Sequence, residues 1–299
     1  MKRFDDLTIA TTVHNNFEMS AAMLSSFEAN VGLAAEISLV DDASSPSRLL
    51  PSTVAPIKVV RTDQPSGFCK ASDLALRQVR TKYALLVDAD VLFDPGDFEG
   101  GYAEFRKAEW AWVNFRQVSF AGQPQNSYEQ PLMPPWVFAG GNQVLTWWQQ
   151  FHRNPGPSRP GQRIVPVEAV HSSCTLVDMD AFRAVGGFDP WYWQCQSDVD
   201  LSLRLRKSGY GVGVDLGYTI RHDGVGGKGG GATRVLDLYR SRVHLYEHAY
   251  PASRFYLRPL LFVRHLAEVV WFAIRALFKR DTRLRTRVEL LKGVLQGYH

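Results

Sequence analysis

The segment Tyr83–Asp94, YALLVDADVLFD, joins an apolar, strand-like run to two carboxylates, Asp88 and Asp90. Side chains alternate along a strand, so residues two apart leave the strand end on the same side. Two such carboxylates can share one Mg²⁺ or Mn²⁺, which can in turn hold a diphosphate. The segment therefore predicts a metal site at the carboxyl edge of a sheet. A polar strand end or an Asx turn is the alternative for this pattern taken alone.

Predicted strands and helices alternate in the chain before this segment. Such βαβ alternation predicts the α/β class, with a mostly parallel sheet flanked by helices. The predicted elements are the strand Leu7–Val13, the helix Phe17–Asn30, the strands Ile37–Val40 and Ile57–Arg61, the helix Lys70–Arg80 and the strand Tyr83–Val87.

Polar side chains gather at three of these predicted strand ends. Ligands of parallel sheets bind beyond the carboxyl ends of the strands, so we expect these side chains to line one binding edge. They are Thr12 and His14, Asp41 and Asp42, and Asp88 and Asp90.

The chain after Asp94 has weaker patterns. Residues Phe115–Pro166 are rich in Pro, Gly, Gln and Trp, and we expect loops and short elements there that line one side of a cleft. Six glycines between Gly224 and Gly231, directly after His222, predict either a linker or a lid over a ligand. The other predicted elements are the strand Val170–Val177, the helix Asp180–Val185 and the helix Val199–Ser208, each helix ending at glycine.

Composition and cysteine usage narrow the class of protein. With 299 residues and 45% hydrophobic content, the chain can bury a full core. The amino terminus, MKRFDDLTIATTV, is typical of a first strand rather than of a secretory signal, so we expect a cytoplasmic protein. The cysteines Cys69, Cys174 and Cys195 are far apart and form no CxxC pair, which predicts reduced thiols and no zinc site.

Basic residues concentrate in the C-terminal tail. Residues 251–299 hold ten Lys or Arg against three acids, although the whole chain has a net charge of only +4. We therefore divide the chain into a main domain, residues 1–250, and a basic amphipathic helical tail, residues 251–299. Four charged residues of the tail form one narrow stripe along a predicted helix. At 100° per residue, the helical phases are about 0° for Arg264, 40° for Glu268, 20° for Arg275 and 60° for Lys279.

The rest of this tail helix is largely apolar, but charges interrupt it too often for a membrane span. A wide apolar face with basic flanks suits a helix that lies in a membrane interface near anionic lipids, at the inner face of the plasma membrane. Packing on the main domain or a homodimer interface is the equal alternative. Nucleic-acid binding is not expected, because no recognised motif accompanies the basic residues.

Five segments together resemble the family 2 glycosyltransferases with the GT-A fold, and within them the bacterial rhamnosyltransferase-like branch. They cover residues 7 to 222, and the last is the most specific, because a GGFD turn precedes an acidic cluster and an Arg-rich helix. The segments are IATTVHNN, SLVDDASS, PSGFCKASDLAL, LLVDADV and GGFDPWYWQCQSDVDLSLRLRKSGY.

The resemblance implies a nucleoside-diphosphate sugar donor, bound with Mg²⁺ or Mn²⁺. Asp88 and Asp90 would be the metal-binding DxD pair, with Asp88 and Ala89 also contacting the nucleotide, and His222 would complete the metal site. Gly67 and Lys70 would lie near the diphosphate, where Lys70 could donate to phosphate oxygens. The base and ribose would be surrounded by Thr12, His14, Asp41 and Asp42.

The resemblance also implies that Asp198 is the catalytic base of an inverting transfer. The family usually has an acidic residue directly before this base, but this chain has Ser197 there. Pro65 and Asp73 stand where Asn is common in the family. Asp200 either contacts the acceptor or orients the following helix. Aromatic faces pack against sugar rings, which makes Trp191 and Trp193 candidate acceptor contacts. Core packing is the alternative for these and for Trp136, Trp147 and Trp148.

The sequence thus predicts a metal-dependent, inverting glycosyltransferase that uses a dTDP- or UDP-sugar. The acceptor would be a hydroxyl of a bacterial surface polysaccharide or of a lipid-linked glycan. One alternative is a nucleotidyltransferase, which would need a Gly-rich, basic NTP-binding loop near the first strand. Another is a non-catalytic binder of sugar nucleotides, which the change to Ser197 makes conceivable.

Overall fold

The computed structural model describes residues 2–46, 53–107, 110–129, 132–151, 162–223, 231–277 and 283–296. Its strands are β1 Arg3–Val13, β2 Leu33–Asp41, β3 Ile57–Arg61, β4 Tyr83–Val87, β5 Val91–Phe93, β6 Trp110–Val118, β7 Pro124–Gln125, β8 Tyr128–Glu129, β9 Ile164–Pro166, β10 Ala169–Val170, β11 Cys174–Asp178 and β12 Gly211–His222. Its helices are α1 Phe17–Asn30, α2 Phe68–Arg77, α3 Phe98–Lys107, α4 Pro135–Phe151, α5 Met179–Ala184, α6 Ser197–Lys207, α7 Gly231–Ala249, α8 Leu257–Ala276 and α9 Arg283–Gln296.

The chain divides into two compact units, one within residues 1–130 and 156–228 and the other within 131–155 and 229–299. A ten-stranded sheet forms the centre of the first unit, in the order β3-β2-β1-β4-β11-β6-β12-β5, with β7 beside β6 and β9 beside β12. β3, β2, β1 and β4 are mutually parallel, and β12 is parallel to β6. β11 runs antiparallel between β4 and β6. The predicted α/β fold is confirmed.

Helices cover both faces of the sheet because its central strands are apolar on both sides. All five residues of β4 are buried, and they alternate between two hydrophobic clusters. Leu85 and Val87 belong to the cluster that includes α1 and α3. Leu86 belongs to the cluster that includes α2, α5 and α6. The strand becomes polar only past its carboxyl end, where Asp88 follows.

Three predicted elements, α1, β3 and β4, have the predicted bounds, and the others differ at their ends. β1 and β2 begin four residues earlier than predicted, β2 ends one residue later, and α2 ends three residues earlier. α5 and α6 begin and end one or two residues earlier than predicted. α2 begins at Phe68 rather than at Lys70, because Gly67, with a φ of 85°, turns the chain directly into the helix. The strand predicted over Val170–Val177 is split into β10 and β11. The split arises because the polar segment His171–Ser173 forms hydrogen bonds with Ser127, with Asp198 of α6 and with Asp88.

The prediction of loops and short elements over Phe115–Pro166 is wrong in part. The range contains the end of β6 and the helix α4, which is interrupted only at Gly141. α4 forms because its apolar side chains, including Val137 and Phe138, are buried in the core of the second unit.

The second unit is helical, with a core drawn from α4, α7, α8 and α9. The Tyr246 hydroxyl donates to the Met133 carbonyl at 2.8 Å, and Arg258 forms a bidentate ion pair with Glu247 at 2.6 and 2.8 Å. The unit begins before the boundary that we placed at residue 250, because α4 and α7 share one core with the tail helices. Within the described ranges, no helix has both the length and the apolar character that crossing a membrane requires.

Two predicted features lie outside the described residues. They are the glycine-rich segment at 224–230 and Lys279, the last member of the predicted charged stripe.

Candidate functional site

Asp88, Asp90 and His222 form one cluster at the carboxyl edge of the sheet. β5 follows the two carboxylates and pairs antiparallel with β12, which places His222 opposite Val91. The Nε2 atom of His222 lies 3.4 Å from Asp90 Oδ1 and 4.0 Å from Asp88 Oδ2. One ligand atom from each side chain falls within 4.8 Å of the other two. The fold thus brings His222 to two carboxylates that lie far earlier in the sequence.

The carboxyl groups of Asp88 and Asp90 lie close together, so their negative charges repel each other when both are ionised. Burial and the neighbouring Asp90 charge raise the pKa of Asp88 to about 8. Burial alone would lower the pKa of His222, but the hydrogen bond to Asp90 and the two carboxylate charges raise it. A divalent cation would relieve the repulsion between the carboxylates. Carboxylate oxygens suit both Mn²⁺ and Mg²⁺, and Mn²⁺ accepts an imidazole nitrogen more readily than Mg²⁺ does, so the residues fit the predicted metal.

Asp198 lies in the first turn of α6, and two backbone amides hold its carboxylate. Its Oδ2 atom accepts a hydrogen bond from Ser172 N at 3.1 Å, and its Oδ1 atom accepts one from Val199 N at 2.9 Å. Burial raises the pKa of Asp198, which makes the group a better proton acceptor once it is ionised. The Asp198 charge also contributes to the raised pKa of Asp88.

The segment His171–Ser173 connects these two carboxylate sites, and sequence reasoning did not identify it. Ser172 N binds Asp198, while Ser173 O accepts a hydrogen bond from Asp88 N at 2.8 Å. The segment is held in turn by His171 N, which donates to Ser127 O at 2.9 Å. The polar run HSSC directly before an apolar strand was the available signal. Its meaning depends on β11 entering the sheet antiparallel, next to β4.

His171 and Glu129 form a second pair near Asp198 that sequence reasoning also missed. β8 pairs with β10, which brings Glu129 opposite Ala169. The Nε2 atom of His171 lies 3.8 Å from Glu129 Oε1. Burial would lower the pKa of His171, but Glu129 and the Asp198 charge raise it. A protonated His171 in turn favours the ionised form of Asp198. The pair therefore supplies charge beside a site where the usual acidic neighbour is Ser197.

Asp42 binds the loop that leads into α2. Its carboxylate accepts hydrogen bonds from Ser66 N at 2.8 Å, Ser66 Oγ at 2.7 Å, Thr62 Oγ1 at 2.9 Å and Gly67 N at 3.0 Å. Burial would raise the pKa of Asp42, but these hydrogen bonds lower it. Asp41 is likewise bound, by the Arg61 guanidinium and by Ser44 N. Both carboxylates therefore fix loop conformation.

The other predicted nucleotide-binding residues lie at the same strand ends. Thr12 is half-buried near the end of β1, and Ala89 is buried between Asp88 and Asp90. His14 is exposed, with its Nδ1 atom 2.6 Å from the carbonyl oxygen of Asp42.

The start of α2 is packed against Trp193. A Cβ atom added at Gly67 would lie 2.7 Å from the Trp193 ring, and Cys69 N donates to Trp193 O at 3.1 Å. The Trp193 side chain is nevertheless 45% exposed. Lys70 is exposed in the first turn of the same helix. The predicted diphosphate and acceptor residues are therefore neighbours.

Asp200 and Trp191, the remaining predicted acceptor contacts, interact with neighbouring side chains. Asp200 accepts a hydrogen bond from Arg204 Nε at 2.7 Å, and Arg204 also donates to the carbonyl of Val185 at 2.8 Å. This pairing orients α6 against the GGFD turn. Trp191 is half-buried and packs edge to face on Tyr192, with ring centroids 5.5 Å apart.

Asp73, which stands where Asn is common, accepts a hydrogen bond from Phe188 N at 3.0 Å. It therefore ties α2 to the GGFD turn ahead of Asp198.

Comparisons with known structures agree with this architecture. GalNAc-T7, solved with UDP, GalNAc and Mn²⁺, gives a TM-score of 0.56 at 15% identity, over 72% of this chain and 42% of that chain. The mannosyltransferase PcManGT from Pyrobaculum calidifontis, in complex with GDP-Man and Mn²⁺, gives 0.55 at 15% identity, over 98% and 81%. TarS 1–349 from S. aureus, in complex with UDP-GlcNAc, gives 0.52 at 12% identity, over 97% and 80%. Such likeness shows a shared fold, and this chain spans less than half of GalNAc-T7.

The search of curated protein sequences gives no match. The profile of the family described as Glycosyl transferase family 2 matches residues 8–185. The matched range includes Asp88 and Asp90 and ends before Asp198 and His222. Because the match covers more than half of the chain, the protein belongs to glycosyl transferase family 2.

Proposed function

We propose that the protein is an inverting, metal-dependent glycosyltransferase that moves a sugar from a nucleoside-diphosphate donor to a hydroxyl group. One observation carries the proposal. The adjacent residues Ser172 and Ser173 form hydrogen bonds with the Asp198 carboxylate and with the backbone of Asp88, so Asp198 lies beside the Asp88, Asp90 and His222 cluster. The cluster suits a leaving diphosphate, and Asp198 suits an entering hydroxyl.

Inversion requires a base on the side of the sugar opposite the leaving group. In the proposed reaction, Asp198 takes the proton of the acceptor hydroxyl while that oxygen bonds to the anomeric carbon. The bond between this carbon and the diphosphate oxygen breaks at the same time. Asp88, Asp90 and His222 would hold a metal ion, which would supply positive charge to stabilise the departing diphosphate. The amides of Ser172 and Val199 keep the base in position.

The proposed donor is a dTDP- or UDP-sugar. The structural neighbours were solved with UDP, UDP-GlcNAc and GDP-Man, so the fold by itself does not select the base. In the proposed complex, the diphosphate would contact Lys70, which is exposed at the start of α2, and the backbone at Gly67 and Ala89. Thr12 and His14 would contact the base and ribose, whereas Asp41 and Asp42 would act chiefly by fixing the loops around them.

The proposed acceptor is a hydroxyl of a bacterial surface polysaccharide or of a lipid-linked glycan. Trp193 supports a sugar acceptor, because its ring is partly exposed beside Gly67 and lies five positions before Asp198 in the chain. An aromatic face of this kind packs well on the apolar face of a sugar. Trp191 and Asp200 would support this contact from the same segment.

The first alternative, a nucleotidyltransferase, would need a Gly-rich, basic loop near the first strand to bind an NTP. Between β1 and α1 the chain has only His14–Asn16, which is neither glycine-rich nor basic beyond the histidine. The second alternative, a non-catalytic binder, predicts a site without a positioned base. The two hydrogen bonds to Asp198 argue against it.

Thermal unfolding with UDP, dTDP, GDP or CDP, each with and without Mn²⁺, tests the donor site. A ligand that binds only the folded state raises the melting temperature by mass action. We expect a Mn²⁺-dependent increase with one nucleotide, and its loss in Asp90→Ala. Absence of any increase would contradict the donor site.

Asp198→Asn tests the base separately. We expect this variant to keep nucleotide binding and to lose sugar transfer by about a thousandfold, because the amide cannot accept the proton. Asp180→Asn is the matched control, since Asp180 is also in the first turn of a helix but is exposed. Transfer by Asp198→Asn at the wild-type rate would contradict the assignment of the base.

A further inference from the structure

The exposed face of the helix α8 is apolar, whereas its charged side chains are partly buried. Its exposed large side chains are Leu260, Val263, Leu266, Val270, Trp271 and Ile274, which we call the apolar face of α8. The other exposed positions of α8 are proline or alanine, and none carries a charge. The face recurs every three or four residues over a length of about 20 Å, so it is a continuous surface.

Arg264 and Glu268, two members of the predicted charged stripe, are turned into the second unit. Glu268 Oε1 accepts a hydrogen bond from Arg264 Nε at 3.0 Å. Its Oε2 atom lies 3.2 Å from His265 Nδ1 and 3.3 Å from Arg287 Nε of α9. Burial would raise the pKa of Glu268, but these cationic partners lower it to about 2. Arg264 also donates to Phe138 O of α4 at 2.9 Å. These contacts fix which side of α8 faces outward.

A surface of this kind is uncommon on a protein that stays monomeric in water. Val263 is 65% exposed and Trp271 is 59% exposed, and contiguous apolar surface usually marks an interaction site. Trp136 and Trp147 of α4, in the same unit, are also largely exposed. Tryptophan is enriched where a protein meets the boundary between lipid and water.

The positive charge of the second unit favours a negatively charged partner. Residues 131–155 and 229–299 carry fourteen Lys or Arg against five acids, a net charge of +9, whereas the first unit carries −5. Three guanidinium groups surround the Phe272 ring next to Trp271, those of Arg275, Arg283 and Arg287, at 5.9, 4.9 and 5.9 Å from its centroid. Basic residues beside an apolar helix face are attracted to anionic lipid headgroups.

We propose that the apolar face of α8 docks into the surface of an anionic lipid bilayer, with its arginines among the headgroups. A second copy of the chain is a poorer occupant, because a symmetric contact through α8 would bring two units of charge +9 together. The helix lies in the interface and does not cross it, which suits its length and composition. The docking is independent of the proposed transfer reaction.

Co-sedimentation of the full chain with lipid vesicles tests the proposal. We expect binding to vesicles of phosphatidylcholine mixed with phosphatidylglycerol, and much weaker binding to phosphatidylcholine alone. Val263→Glu combined with Val270→Glu should lower the partition coefficient at least about tenfold, because the face loses apolar burial and gains negative charge. The matched control is Val54→Glu, since Val54 is 68% exposed in the first unit. It should bind as the wild type does.

The exposed arginines give a second variant that leaves the apolar face intact. Arg283→Glu combined with Arg285→Glu should weaken binding to anionic vesicles by about tenfold or more and reduce its dependence on salt. Circular dichroism melting of each variant establishes that it is folded.

Either of two results would overturn the proposal. One is the absence of wild-type binding to anionic vesicles. The other is a wild-type dimer in sedimentation equilibrium that Val263→Glu with Val270→Glu converts to monomer, which would assign the face to a second copy. Nucleotide-dependent thermal shifts in the same samples report on the donor site separately.

Discussion

Two carboxylate sites lie at the carboxyl ends of β2 and β4, the parallel strands on either side of β1, and their carboxylates have opposite surroundings. Asp41 is the last residue of β2, and Asp42 follows it. Their carboxylates accept hydrogen bonds from backbone amides, hydroxyl groups and Arg61. Asp88 and Asp90 follow β4 and face each other and His222. The pKa of Asp42 is lowered, whereas that of Asp88 is raised to about 8.

The difference teaches that an acidic pair at a strand end is not by itself a ligand site. A carboxylate whose lone pairs are filled by the protein stabilises a loop. Carboxylates that repel each other in a partly buried site are candidates to bind a cation or a proton. The two sites therefore respond differently to the same substitution.

The largest expected effect is the loss of activity in Asp88→Asn. Removal of one metal ligand should lower the rate of sugar transfer by about a thousandfold. The free energy of unfolding should stay equal or rise, because one of two closely spaced negative charges is gone. Transfer assays and urea unfolding of the same sample measure both quantities. A large loss of stability would place Asp88 with the structural carboxylates instead.

Asp42→Asn should lower the stability of the protein, in contrast to Asp88→Asn. The amide cannot accept all the hydrogen bonds from Ser66, Thr62 and Gly67, so the free energy of unfolding should fall by about 2 kcal/mol. Because the folded-state pKa of Asp42 is lowered, its stabilisation exists above the unfolded-state pKa and disappears as pH falls through the folded-state pKa. Urea unfolding at several pH values checks this, with exposed Asp63→Asn as control. Equal stability of Asp42→Asn and wild type would contradict the assignment.

A third, smaller effect concerns His171. The charge of protonated His171 lowers the pKa of Asp198, so His171→Gln should raise that pKa. Transfer near neutral pH should fall by about tenfold, and the acid limb of the pH–rate profile should move to higher pH. Exposed His248→Gln should leave the profile unchanged. A uniform loss of rate without movement of the acid limb would mean that His171 acts only through backbone structure.

The smallest effect is expected for Lys70→Ala. Lys70 is exposed in the first turn of α2, and in the proposed complex it would contact the diphosphate of the donor. Its loss should raise the KM for the donor by roughly fivefold with little change in kcat, since one surface ion pair is removed. Lys58→Ala, on an exposed position of β3, is the control. An unchanged KM would remove Lys70 from the donor site.

The sequence predicted those parts of the fold and site that depend on local patterns. The run Tyr83–Val87 before Asp88 and Asp90 identifies the strand and its carboxylates, since alternation and burial are visible in one short segment. Asp198 and His222 were reached only through resemblance, because their positions depend on α6 and on the pairing of β12 with β5. Non-local pairings of that kind leave no local signal.

Two other features required the folded chain. The segment His171–Ser173 gains its role when β11 inserts antiparallel beside β4, and Glu129 reaches His171 only through the pairing of β8 with β10. The pattern of α8 showed a charged stripe and an apolar face but not which of them is buried. Contacts of Glu268 with α9 decide that question.

The most direct test of this account is Mn²⁺ binding in the presence of UDP, followed by electron paramagnetic resonance of wild type, Asp90→Asn and Asp42→Asn. We predict that wild type and folded Asp42→Asn bind Mn²⁺ with similar affinity and that Asp90→Asn does not. Equal binding by Asp90→Asn, or loss of binding in folded Asp42→Asn, would contradict the division of the two carboxylate sites into metal-binding and structural.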